Sequence, residues 1–343
     1  MDTTATPTQE NAFQPDAAAI FRAMTAYQVS MALKGAIELE LFTHIADGAV
    51  TVPGLASRAK ANEKGIRIVC DFLTLSGFLT KQDGTYGLTP NTAFFLSKHS
   101  PAYMGSAVSF LTNDFQLTTF SDIASVVRKG GTLKGQGSME PENPMWVELA
   151  RSMAPISAIA ARGVAALTAE PGRPMKVLDI AAGPGMYGIE VAKRNAQAQV
   201  YAQDWKIVLE LSTEHARQAG VADRYHPIPG SAFDVDLGNG YDLVLLPNFL
   251  HHFDPPTNVK LLKKLRAAMK PGGQLATIEF TPNDDRISPP APAAFSLVML
   301  TNTVGGDAWT LAELDRMFRD AGFGPSQAHE IPPSPETLIL TAY

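Results

Sequence analysis

Hydrophobic and polar positions follow two different rhythms along this chain. From residue 175 onward, apolar runs of strand length trade places with segments whose apolar residues recur at helical spacing. Strands are predicted at 176–181, 199–203, 225–229, 241–246 and 274–280, and helices at 185–194, 205–219 and 256–270. Such alternation predicts a parallel sheet covered on both faces. The end of the chain breaks the rhythm. Helix 311–321 leads to strands at 327–331 and 336–343, joined only by Pro332-Pro333-Ser334-Pro335. A link that short cannot hold a crossover helix, so the last two strands are expected to pair antiparallel.

Ahead of residue 175 the pattern is mainly helical. A polar leader over 1–14 is expected to be disordered, and helices are expected over 20–41, from 51 and over 62–75. Phe78 and Leu79 then approach the turn dipeptide Asp83-Gly84, with Tyr86-Gly87-Leu88 beyond it. Helix, helix and small hairpin predict a winged helix over 15–100. Residues 103–127 and 146–167 read as further helix, separated by a Gly/Pro-rich connection at 129–144. We read 101–170 as a helical connector contributing to a substrate pocket. Pro171-Gly172-Arg173-Pro174 then punctuates the chain before a final domain at 171–343.

Composition narrows the function classes. The 343 residues are 45% hydrophobic and 18% charged, with a formal net charge of −6, the profile of an ordinary globular protein. Phosphate binding needs concentrated Lys and Arg, whereas residues 1–100 carry eight of them against nine Asp and Glu. The winged helix is therefore expected to be a dimerisation module, with no nucleic acid as partner. Helices 20–41 hold more apolar residues than one small winged helix can cover, which predicts a homodimer. A lone cysteine, Cys70, excludes an intramolecular disulfide and a Cys-based zinc site. We expect no metal. No basic start followed by an apolar run and no apolar span of about 20 residues is visible, so no membrane association is expected and the location is expected to be cytoplasmic.

The most informative stretch runs from Val177 to Gly188, where an apolar run ends in a glycine turn that opens a helix. Glycines let the backbone turn sharply and come close to a ligand, and the helix offers unpaired N–H groups. Gly183-Pro184-Gly185-Met186-Tyr187-Gly188 fits G-x-G-x-x-G, and Asp204 closes the second strand at the distance where a ribose hydroxyl is read. Read literally, the fingerprint also admits a nicotinamide-dependent dehydrogenase.

The seven-strand domain with its reversed final pair resembles the class I S-adenosylmethionine-dependent methyltransferases. The chain as a whole resembles the small-molecule O-methyltransferases of plant phenolic and bacterial natural-product type. The resemblance is carried by Asp179 to Gly188, Asp204, Leu250-His251-His252-Phe253-Asp254, Lys270-Pro271-Gly272-Gly273 and the run from Asn302 to Gly306. It implies S-adenosyl-L-methionine as cofactor, S-adenosyl-L-homocysteine as product, and a Rossmann-like α/β domain behind a winged-helix dimerisation domain. Asp179, Gly183, Gly185, Asp204, Trp205, Ser231, Ala232, Phe233 and Asn248 fall where the cofactor is held. His251 stands where the family keeps its general base, with Glu279 as orienting carboxylate. The second family carboxylate falls on Ala308, with Asp307 one residue early, and a common family lysine is replaced by Pro247. The resemblance implies that Trp146, Met153, Asn248, Phe295, Met299 and Asn302 face the acceptor. Methyl transfer to carbon or nitrogen, or a non-methylating reaction using the same cofactor, stays open at this point. Glu279→Gln is expected to cost less than loss of His251, because an amide can still hold the ring.

Overall fold

The computed structural model describes residues 16–135 and 142–343, so the leader at 1–14 and part of the Gly/Pro-rich connection lie outside it. The chain forms two compact units, Met1–Gly105 and Ser106–Tyr343.

In the first unit α1 (Ala17–Met24), α2 (Tyr27–Glu38), α3 (Leu41–Ala46), α4 (Val52–Ala59) and α5 (Glu63–Leu75) precede a hairpin of β1 (Leu79–Gln82) and β2 (Thr85–Leu88), and α6 (Pro90–Phe95) follows. Capping chemistry sets these starts. The Thr51 hydroxyl accepts the Gly54 N–H with Pro in the first turn of α4, and the Asn62 side chain accepts the Lys64 N–H at α5. Asp83 and Gly84 both take positive φ, 47° and 79°, as a two-residue hairpin turn demands. Leu41, Phe42, Leu55, Ile66, Leu73 and Tyr86 form the core, with Cys70 fully buried among them. Burial pushes the Cys70 thiol up to about 11, which leaves it inert. By contrast α1 exposes Ile20, Phe21 and Met24, the last two at 68%.

The second unit opens with α7 (Ala107–Leu111), α8 (Asp114–Ser121) and α9 (Ile123–Lys129), then α10 (Met145–Thr168). The helix expected over 103–127 is thus three short ones. Asn113 and Asp122 each accept an N–H three residues on, from Gln116 and Ser125, and so restart the helix. The two units divide after Gly105, and the helices from 107 to 168 belong with the sheet. Small residues explain why: Ala160, Ala161, Val164 and Ala165 of α10 share one core with Val177, Val200, Leu243 and Leu245.

Then follow β3 (Met175–Ile180), α11 (Met186–Arg194), β4 (Ala198–Asp204), α12 (Lys206–Gln218), β5 (Tyr225–Pro229), β6 (Tyr241–Pro247), α13 (Pro255–Ala268), β7 (Met269–Glu279), α14 (Pro290–Asn302), α15 (Leu311–Asp320), β8 (Ser326–Glu330) and β9 (Thr337–Ala342). The seven strands are ordered β5-β4-β3-β6-β7-β9-β8, parallel except at β9, which runs antiparallel to both neighbours. Chain order reverses between β3 and β6, the crevice where open α/β sheets bind ligands. Among the described residues no helix is long and apolar enough to cross a membrane.

Candidate active site

The turn after β3 lies at that crevice. Gly183 has φ 54°, and the nearest atom a Cβ there would meet is the Ala181 carbonyl oxygen at 3.8 Å, so the backbone is open to a ligand. Gly185 has φ 79°, and a Cβ would meet the Tyr225 hydroxyl at 2.7 Å. At Gly188 a Cβ would strike Val200 at 2.6 Å and the Asp179 carboxyl at 2.8 Å, so this third glycine seats α11 on the sheet. Each position needs glycine for a different reason.

Two carboxyls frame the turn. Asp179 is fully buried, accepts the Gly188 N–H at 2.9 Å through Oδ2, and leaves Oδ1 buried without a partner. Burial pushes it up to about 8, against the pull of the Gly188 bond and with a further push from the Asp204 charge. Asp204 ends β4 and accepts the Gly183 N–H through Oδ2 at 2.8 Å and the Trp205 N–H through Oδ1 at 2.7 Å. Burial raises it to about 6, with both backbone bonds opposing. Each of its oxygens keeps acceptor capacity for a hydroxyl. Beyond β5, the Ser231 hydroxyl accepts the Phe233 N–H, Ala232 is buried, and the Phe233 ring lies 5.1 Å from Phe253 and 6.5 Å from Phe249. The open glycine, the unpartnered buried oxygen of Asp179 and this aromatic group fit a nucleoside with a polar tail.

On the other side of the crevice a short 3-10 turn, Leu250–His252, follows β6. Glu279, at the end of β7, accepts the N–H groups of Phe249 (3.0 Å) and Leu250 (2.8 Å) on Oε1, and meets Nδ1 of His251 at 2.6 Å with Oε2. Both side chains are buried. A carboxylate can only accept, so Nδ1 carries the proton and the lone pair sits on Nε2. The Leu250 carbonyl accepts from Asn258 and from the Trp309 indole, which pins the turn from behind. A Cβ on Gly306 would collide with the His251 carbonyl, so the run from Asn302 to Gly306 packs against the backbone of the turn.

The remaining residues divide. The Phe295 ring is edge-on to His251 at 4.9 Å, and the Trp146 ring is edge-on to His252 at 5.5 Å. Burial first, and His251 second, hold His252 well below the usual imidazole range, so it is neutral. Met299 and Asn302 are buried on α14, Asn302 donating to Gln116 at 3.1 Å, and Met153 is half-buried on α10. Asn248 has φ 52° and donates Nδ2 to Glu336 at 2.6 Å. Asp307, expected to stand in for the second catalytic carboxylate, is engaged by groups other than His251. It accepts from Arg286 at 3.2 Å and from the Ala308 N–H, and Arg286 also holds Glu313 at the start of α15. Glu279 is the carboxylate on His251. The Arg286 clamp carried no sequence signal, because Arg286 lies in a loop 21 residues from Asp307.

Known proteins match the chain in both of its units. A profile of the O-methyltransferase dimerisation domain matches residues 21–98, and one of the O-methyltransferase domain matches 141–324. This chain belongs to the S-adenosylmethionine-dependent O-methyltransferase family. A crystallised candidate O-methyltransferase from Nostoc punctiforme is 46% identical, with a TM-score of 0.93, covering 96% of this chain and 100% of that one. PigF of a Serratia strain, an S-adenosyl-L-methionine-dependent methyl transferase, is 25% identical over 92% of this chain and 93% of its own. Its structure with S-adenosylhomocysteine shares the fold, at TM-score 0.83 and 22% identity over 96% of this chain and 100% of that one. The tetracenomycin polyketide synthesis 8-O-methyl transferase TcmO of Streptomyces glaucescens is 24% identical over 94% of this chain and 95% of its own. The cofactor is therefore S-adenosylmethionine, and the dehydrogenase reading falls. The first unit is the family's dimerisation domain.

Proposed function

We propose that this O-methyltransferase methylates a hydroxyl of an aromatic or polyketide-like small molecule, with His251 as general base. One observation carries the reading: the 2.6 Å contact between Nδ1 of His251 and Glu279, which leaves Nε2 as the proton acceptor. The cofactor-holding residues are Gly183, Gly185, Asp204, Trp205, Ser231, Ala232, Phe233 and Asn248. Bound S-adenosylmethionine supplies an activated methyl group on a cationic sulfur. His251 Nε2 takes the acceptor's hydroxyl proton as the oxygen gains the methyl, and Glu279 stabilises the imidazolium that results. Trp146, Met153, Phe295, Met299 and Asn302 suit a flat, largely apolar acceptor, and the name of TcmO supports a polyketide-like one.

His251→Ala should lower kcat by about 10²–10⁴ while leaving cofactor affinity near its original value. Full turnover by this variant would overturn base catalysis. Methyl transfer to carbon or nitrogen would then lead, a reading favoured by the engagement of Asp307 with Arg286 instead of His251. The enzyme acts as a homodimer in the cytoplasm. Ile20, Phe21 and Met24 of α1 are apolar surface that a second copy would cover. A monomer by light scattering at micromolar concentration would refute the dimer.

A further inference from the structure

Glu336 directly precedes β9, in a register that sets Thr337 opposite Glu279. Its Oε1 accepts from Nδ2 of Asn248 at 2.6 Å and its Oε2 from the Ser334 hydroxyl at 2.6 Å. Among the described residues it has no Lys, Arg or His partner, so its charge is held by neutral donors alone. Asn248 is fixed at both ends, since its own N–H is donated to the Ile278 carbonyl at 2.8 Å and its φ of 52° turns it out of β6. A carboxylate cannot donate, so the amide must present Nδ2 to Glu336. Oδ1 is left over, buried and without a partner.

Oδ1 of Asp179 and the hydroxyl of Tyr187 are among the other buried atoms that share this condition, and the two residues are 0% and 4% exposed. They belong to one neighbourhood: after burial, the nearby carboxyls of Glu336, Asp179 and Glu279, in that order, push the Tyr187 hydroxyl well above its usual range. Of the three, only the amide oxygen of Asn248 can do nothing but accept, and beside a carboxylate with no cationic partner among the described residues it suits a ligand that brings N–H donors and positive charge. Among the described residues no group of three His, Cys, Asp or Glu can hold a metal ion. An ammonium fits instead. Tyr187 lies in the first turn of α11, immediately past the glycine turn.

We propose that Oδ1 of Asn248 receives the ammonium of the cofactor's amino-acid end, with Glu336 as the positioning residue that fixes the amide and supplies the countercharge. The inference rests on the cofactor lying at the glycine turn, as proposed above. Glu336→Gln keeps an oxygen for Nδ2 of Asn248 and removes the charge. Calorimetry should show S-adenosylhomocysteine binding weakened about tenfold. Binding of 5′-methylthioadenosine, which has the nucleoside and thioether without the amino acid, should stay within about twofold. Equal weakening of both ligands would mean a structural role and overturn the proposal, as would unchanged S-adenosylhomocysteine affinity, the outcome expected if the ammonium belonged to the acceptor. Asp204→Ala separates the two readings, because both ligands carry the ribose. If that variant spares both, the placement at the glycine turn fails rather than the role of Glu336.

Discussion

Strands β4 and β7 both end in a carboxylate held by two backbone N–H groups, yet the two ends present different sets of free oxygens. At Asp204 the donors are shared out, one to each oxygen. Both oxygens are steadied and both keep a free lone pair, the pattern that suits the two adjacent hydroxyls of a ribose. At Glu279 both donors fall on Oε1, and Oε2 is left whole for the imidazole of His251. On the proposed function, the way the backbone distributes its donors sets Asp204 to read a diol and Glu279 to orient a base.

The comparison is most exposed at Glu279. Glu279→Gln offers one carbonyl oxygen, and two backbone N–H groups compete for it with Nδ1 of His251. If the backbone wins, the new NH₂ faces Nδ1 and moves the ring proton to Nε2, the wrong tautomer for a base. We expect kcat to fall by about 10²–10⁴, close to the loss for His251→Ala and larger than the sequence alone suggests. Asp307→Asn, measured alongside, should stay within about threefold, because Arg286 and not His251 holds that carboxylate. A mild Glu279→Gln phenotype beside a severe Asp307→Asn one would reverse the assignment. The next effect in size is at the other strand end. Asp204→Ala should weaken S-adenosylhomocysteine by about ten- to a hundredfold, the worth of a charge-assisted hydrogen bond, and titration calorimetry reads it directly. Unchanged affinity would remove Asp204 from the cofactor site.

The fold was legible because its rhythm is local. Strand runs, helical spacing and the short proline-rich link before β9 announced a mainly parallel sheet with an antiparallel last pair, which the structure shows. Missed features are of two physical kinds. Short polar side chains that cap a neighbouring turn, such as Asn113 and Asp122, cut one expected helix into three. Proline-rich starts hide helices as well: α14 begins at Pro290-Ala291-Pro292, where a first-turn proline is compatible with a helix but reads as a loop. In the site, Asp179 to Gly188, Asp204 and His251 lie in contiguous motifs, which is why they could be named. Glu336 bonds to a residue 88 positions away and Arg286 to one 21 positions away, distances over which no pattern in a single sequence points from one partner to the other.

Strand β7 has a strand on either side, β6 and β9, so Glu279 is set in the middle of the sheet and its partner turn is bonded to it directly. Trp146, Met153, Phe295 and Met299, by contrast, project from helices α10 and α14. On the proposed function, the residues that shape the acceptor pocket therefore sit on elements separate from the one that orients the base. A lineage built on this plan can exchange one natural product for another over evolutionary time while inheriting its proton-transfer apparatus unchanged.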